Sequence, residues 1–256
     1  APAVPLNAWP ALEAPSPSPG GGGVCSIIEP IPANNGLLLQ AKDYLRSLRE
    51  ICSEYGTLLI FDEVISGFRV GFEGAAGLYG IAPDIVTYGK IIGGGMPVGA
   101  YGASAKIMST VSPEGPVYQA GTLSGNPVAM AAGKAACSEL LKPGFYELLK
   151  NKTDRFLEKI RTHCLSRGYA VTFPSVGSIF WIAFSKNTIR SAEEIDAGSM
   201  SYFKVLHHEL LKRGVYLGPS GYEVGFVSSE HSETDLDFAS QMMCDAMDVV
   251  FGLNTD

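Results

Sequence analysis

Three groups of residues offer chemistry: Lys90, Asp62, and the small hydroxyl-bearing loop that begins at Gly121. Lys90 lies in Thr87-Tyr88-Gly89-Lys90-Ile91-Ile92-Gly93-Gly94-Gly95-Met96-Pro97, with no acidic residue within five positions on either side. Dry surroundings would pull its pKa down, because desolvation penalises the charged ammonium. A neutral lysine amine is a nucleophile able to form a Schiff base, and the glycines would let a bulky planar group lie close. Taken alone, the string equally describes a lysine in a glycine-rich surface turn. Asp62 ends the apolar run Thr57-Leu58-Leu59-Ile60-Phe61. A carboxylate at the C-terminal edge of a buried parallel strand sits where open α/β sheets place ligands. It can pair with a protonated ring nitrogen while Val64 packs on the ring face; the alternative is an Asp that caps the next turn. Gly121-Thr122-Leu123-Ser124-Gly125-Asn126-Pro127 feeds a helix start, so its N–H groups and the helix dipole favour a phosphate.

The elements that must position these groups follow from periodicity. Val24–Glu29 is a short strand stopped by Pro30 and Pro32, and Gln40–Tyr55 has helical period, with Tyr44, Leu45, Leu48, Ile51 and Cys52 on one side and Gly56 as its stop. Thr57–Phe61 and Ile85–Thr87 are continuous apolar strands, the pattern of a parallel sheet covered on both faces. Asn126-Pro127 opens a second helix, an N-cap followed by Pro at the first helical position, running to about Leu141. Beyond Pro143 the spacing predicts a long helix from Phe145 to about Arg167, strands over Tyr169–Phe173 and Ser178–Phe184, and a helix from about Met200 to Arg213. Short strands follow around Val215–Leu217 and Gly225–Val227, and a last helix is capped by Ser232 with Glu233 and Asp235 in its first turn. The expected organisation is a Pro/Gly-rich lead-in over 1–23, a partial large α/β domain with a mostly parallel sheet over 24–140, and a small C-terminal α/β domain over 141–256.

Composition narrows the function classes. The 256 residues are 46% hydrophobic with net charge −7 and no basic block, which argues against nucleic acid as the main partner. No apolar run reaches the length of a membrane span. The five cysteines are odd in number and widely spaced, reading as free thiols of a reducing compartment. The four histidines have no partners at zinc-ligand spacing, and neither a G-x-S-x-G elbow nor a Walker A or G-x-G-x-x-G string occurs, so no metal site is expected.

In order, Phe61-Asp62-Glu63-Val64, then Gly89-Lys90 with its glycines through Gly102, then Ala120-Gly121-Thr122-Leu123-Ser124-Gly125-Asn126-Pro127 are far more specific than any one of them. Together they resemble the class III, fold type I pyridoxal-phosphate enzymes. Within that family, Tyr118-Gln119 ahead of the loop and Tyr222-Glu223-Val224-Gly225-Phe226 resemble the aminomutase branch, which converts glutamate-1-semialdehyde to 5-aminolevulinate in tetrapyrrole synthesis. The resemblance implies pyridoxal 5'-phosphate as cofactor, with its pyridoxamine form in the cycle. Lys90 would be the Schiff-base lysine and proton shuttle, Asp62 the partner of the pyridine nitrogen, and Val64 a cover for one ring face. Asn34, in Glu29-Pro30-Ile31-Pro32-Ala33-Asn34-Asn35-Gly36, would bond the phenolic oxygen. Gly121 and Thr122 would reach the phosphate of the neighbouring subunit in a homodimer, and Glu223 would face the substrate; on its residues alone Glu223 is also a plain solvated acid. The implied substrate is a small amino-acid-derived molecule, and the implied compartment the cytoplasm, or the plastid stroma in a plant or alga. An ordinary class III aminotransferase is the alternative within the class. The resemblance starts near Ile27, and the family carries well over a hundred residues ahead of that point, including most of its phosphate grip and its substrate arginine. It therefore implies half of an active site in these residues, and a non-catalytic chain is the alternative from another class.

Overall fold

The computed structural model describes residues 25–252, so the lead-in expected over 1–23 lies outside the described residues. Contacts group the described residues into two units, one with residues up to Ile31 together with Gln40–Phe145, the other with Pro32–Leu39 and the residues from Tyr146 on.

The first unit is built on β1 (Cys25–Ile28), α1 (Lys42–Glu54), β2 (Leu58–Glu63), α2 (Gly74–Tyr79), β3 (Ile85–Tyr88), β4 (Ala100–Ala103), α3 (Ala105–Met108) and α4 (Pro127–Leu140). The sheet order is β1-β2-β3-β4. β1, β2 and β3 run parallel, with Ile28 opposite Phe61 and Asp62 opposite Thr87, whereas β4 runs antiparallel to β3. The helical face expected for α1 packs on the sheet. Tyr44, Leu45, Leu48 and Cys52 are buried with Leu59, Phe61 and Ile81 in one cluster. Each such side chain contributes at most about 1.5–3 kcal/mol on burial. No strand is expected from the sequence at β4. Ala100-Tyr101-Gly102-Ala103 has little intrinsic strand preference, and β4 exists because β3 offers it a ladder.

The second unit contains α5 (Phe145–Ser166), β5 (Ser175–Val176), β6 (Ile179–Phe180), α6 (Ser199–Lys212), β7 (Gly225–Phe226) and α7 (Glu233–Gly252). Its antiparallel sheet has the order β5-β6-β7. Leu157, Ile160, Ile179, Leu206, Leu210, Met243 and Met247 are fully buried. Ser232 accepts from the N–H of Asp235 at 3.1 Å while Asp235 accepts from the N–H of Ser232 at 2.8 Å, the reciprocal cap expected for α7. Three strand expectations need correction. Tyr169–Phe173 is reduced to a single bridge, Thr172 to Ala183, because Pro174 cannot donate to a ladder. The strand expected over Ser178–Phe184 is only Ile179–Phe180, in a tight hairpin with Ser175–Val176. Val215–Leu217 is not a strand.

Asp84 ties the first unit together, and its chemistry is testable. It accepts from Leu59 N–H and from the Arg49 guanidinium, both at 2.7 Å. Partial burial pushes its pKa up, but these two donors outweigh that and hold it below the usual carboxylate value. The ionised form is therefore favoured in the fold. Its stabilisation is complete above the ordinary carboxylate pKa and is lost as pH falls through the lowered one. Asp84→Asn should lower stability by about 1–2 kcal/mol at pH 7, and urea midpoints of variant and parent should converge in strong acid.

Candidate active site

The C-terminal ends of the parallel strands gather the chemistry of the first unit. At the end of β2, Asp62 is half-buried, and its Oδ1 accepts from Val64 N–H at 3.1 Å and from the Thr87 hydroxyl at 3.2 Å. Thus Asp62 does cap the turn after β2, and it does so with one oxygen. Among the described residues, Oδ2 takes no partner and remains available. Val64 lies against Gly89, where an added Cβ would stand 3.1 Å from Val64 Cγ1, so this apolar side chain borders the turn that carries Lys90.

Lys90 opens a 3₁₀ turn, Lys90–Gly93, directly after β3. Its φ of 49° is in the left-handed region, a conformation that costs a non-glycine residue about 1–3 kcal/mol and recurs at functional sites. Among the described residues it has neither a hydrogen-bond nor an ion-pair partner. The dry surroundings expected from the sequence are a point of difference: Lys90 is exposed. The turn is held from behind by α4, where Gly133 admits the Ile92 carbonyl; a Cβ there would lie 2.3 Å from that oxygen.

At the start of α4, the Asn126 side chain accepts from Val128 N–H at 3.1 Å and Ala129 N–H at 3.2 Å. The cap expected from the sequence is present, and it takes amides that a phosphate would otherwise use. What the loop still offers is Gly121 and Thr122, both exposed. Gly121 and Ile92 share a groove of about 660 Å³ that also meets Tyr101, Gln119, Ser124 and Lys134.

Asn34 and Glu223 fall in the second unit. Far apart in sequence, their loops are bonded to each other: Gly36 N–H donates to the Tyr222 carbonyl at 2.6 Å. The fully buried Trp181 donates its indole N–H to the Gly221 carbonyl at 2.7 Å. Asn34 and Glu223 are themselves exposed, and Glu223 folds back over Gly218. Two residues beside Asp62 in the first unit carried no expected role. Thr87, which bonds Asp62, becomes visible once the β2–β3 register is known. Glu63 stood in the quoted string without a role.

Comparison with known proteins gives this geometry a context. The family described as aminotransferase class-III matches residues 21–238. A glutamate-1-semialdehyde 2,1-aminomutase of Legionella pneumophila is 49% identical over 211 residues, covering 82% of this chain and 49% of the relative. One from Leptospira biflexa is 50% identical over 218 residues, covering 83% and 51%. The chain thus spans about half the length of the curated relatives it matches. Among solved structures, an omega-transaminase from Sphaerobacter thermophilus superposes with TM-score 0.82 at 31% identity, covering 88% of this chain and 52% of its own. A glutamate-1-semialdehyde-aminomutase from Pseudomonas aeruginosa in complex with PMP does so with TM-score 0.81 at 24% identity, covering 95% and 55%, which speaks to the fold alone.

Trp181 holds the Glu223 loop from within, and the two side chains should behave differently. Trp181→Phe leaves the buried Gly221 carbonyl without its donor and should cost about 1–3 kcal/mol. Glu223→Gln, at an exposed position, should stay within about 0.5 kcal/mol of the parent. Urea unfolding followed by far-UV circular dichroism checks both.

Proposed function

The chain belongs to the class III aminotransferases, and from that premise we propose that it serves a pyridoxal-phosphate-dependent aminomutase converting glutamate-1-semialdehyde to 5-aminolevulinate. The observation that carries the reading is the arrangement of Asp62, Val64 and Lys90 on the ends of two adjacent parallel strands. A carboxylate with one oxygen free, an apolar side chain beside it, and an unpartnered amine one strand away fit the three demands of a pyridoxal ring. The 49–50% identity to the aminomutases of Legionella pneumophila and Leptospira biflexa supports the choice of substrate.

In this reading, Asp62 keeps the proton on the ring nitrogen and Val64 packs against one ring face. Lys90 would hold the cofactor at its carbonyl carbon and would move protons at the substrate carbons. The bound cofactor supplies the electron sink. The Asn34 amide bonds the phenolic oxygen. Gly121 and Thr122 offer an N–H and a hydroxyl to the phosphate held by the partner subunit of a homodimer. Glu223 would discourage a second dicarboxylic acid by like-charge repulsion. The working compartment is the cytoplasm or a plastid stroma; no helix among the described residues is long and apolar enough to cross a membrane, and all five cysteines are free thiols. An ordinary class III aminotransferase is the second reading, favoured by the 31% identity to the omega-transaminase.

Two measurements test this. Borohydride added to the protein with pyridoxal phosphate should leave the covalent label on Lys90, and a label on another lysine would sink the assignment. The native protein should form 5-aminolevulinate from glutamate-1-semialdehyde with no added keto acid. Asp62→Asn should lower that rate about 10²–10³-fold, as expected when one preorganised partner of developing charge is removed. A strict requirement for 2-oxoglutarate or pyruvate moves the protein to the second reading. Absence of both label and product makes it a non-catalytic chain.

A further inference from the structure

Glu63 follows Asp62 directly and is turned the opposite way, as the period of a strand requires. Its side chain is 0% exposed. A buried carboxylate costs several kcal/mol unless its oxygens are matched, and here three donors converge on it. Ala75 N–H donates to Oε2 at 2.6 Å and the Ser66 hydroxyl to the same oxygen at 3.0 Å. Ala76 N–H donates to Oε1 at 3.0 Å. The main chain of the same residue is held as well, since its carbonyl accepts from Gly67 N–H at 2.9 Å.

The surroundings are cut to fit this carboxylate. Gly74 has φ +62°, and a Cβ there would fall 2.2 Å from Glu63 Oε2. The side chain therefore reaches from the last residue of β2 to the first amides of α2, and closes the whole turn between them into one ring of bonds. Asp62 and Val64 flank its anchor point. Asp62 is held on one side by its pairing with Thr87 and on the other by the backbone of Glu63. The two bonds that aim its Oδ1, from Val64 N–H and the Thr87 hydroxyl, both require that the β2 end not slide or fray.

We infer that Glu63 is a positioning residue of the site, whose clamp on Ala75, Ala76 and Ser66 fixes the direction of Asp62 and Val64. The inference rests on the reading of Asp62 as the ring-nitrogen partner. It assigns Glu63 no contact with substrate or cofactor. Its competitor is a purely structural role, in which the carboxylate caps α2 and Asp62 is indifferent to it.

Hydrogen exchange of the intact chain separates the two without any cofactor. In Glu63→Gln one accepting oxygen becomes an amide NH2 that cannot accept from the N–H of Ala75 or of Ala76. The amides of Ala75, Ala76 and Val64 should then exchange about tenfold faster or more, while those of Leu59 and Phe61 in the same strand change less than about twofold. Ser66→Ala removes a single donor and should move the Val64 amide in the same direction by less. Faster exchange at Ala75 and Ala76 with Val64 unchanged overturns the inference. So does a uniform loss of protection that includes Leu59 and Phe61, in Ser66→Ala if Glu63→Gln does not fold. A second reading uses pyridoxal phosphate labelled with ¹⁵N at the ring. The ring-nitrogen signal, in the protonated range for the parent, should move toward the neutral range in Glu63→Gln while the borohydride label stays on Lys90; an unmoved signal also overturns it. If the parent itself takes no label, the functional reading fails and the exchange result still decides whether Glu63 positions Asp62.

Discussion

The parallel pairing of β2 with β1 and β3 is the constraint from which the rest of the first unit follows. Strand period sends Leu59, Phe61 and Glu63 to one side and Ile60 and Asp62 to the other. The first set is fully buried, and the second is half-buried. Burial of Leu59 and Phe61 against α1 fixes the register, because a slip of one residue would exchange core for edge. With the register fixed, the ends of β2 and β3 lie side by side, and Asp62, Val64 and the Lys90 turn are neighbours. Two adjacent acids are thereby given opposite environments. Asp62 keeps a free oxygen at the open edge, and Glu63 is spent entirely on holding that edge in place.

The second unit uses different means for a similar end. Its sheet is short, so little ladder is available to fix the loops that carry Asn34 and Glu223. One indole takes over. Trp181, fully buried, bonds the Gly221 carbonyl, and Gly36 bonds the neighbouring Tyr222 carbonyl. Two loops nearly two hundred residues apart in sequence are thus held against one rigid side chain. An aromatic residue with a polar edge suits this duty, since it fills core volume and still supplies a donor.

How much of this was legible in the sequence depended on whether the cause was local. Helix α1 carries its own periodicity, α4 its own Asn-Pro cap, α7 its own Ser232 and Asp235, and all three appear where those signals put them. The apolar run before Asp62 likewise marked β2 and the edge on which the candidate site sits. What stayed hidden was set by partners. β4 is a weak strand sequence recruited by β3. The second-unit strands were cut short by Pro174 and by a hairpin around Gly177, and Pro32–Leu39 groups with the second unit although it is flanked by first-unit chain. The left-handed backbone at Lys90 has no sequence signal, since nothing but the turn after β3 requires it.

The same distinction limits what the fold says about substrate. An aminomutase and an omega-transaminase superpose on this chain about equally well, with TM-scores of 0.81 and 0.82. Backbone shape therefore does not separate the two readings, and the choice has to reside in side chains placed on that backbone. On the proposed reading Asp62, Val64 and Lys90 would serve the cofactor in either case, so they do not separate the two. On that same reading the discriminating chemistry would lie where a second carboxylic acid enters. Glu223 is the charged member of that candidate set, and its loop is the one that Trp181 and Gly36 fix. On the proposed reading Glu223 would select by charge, and a loop anchored by Trp181 and Gly36 would hold it in place to repel.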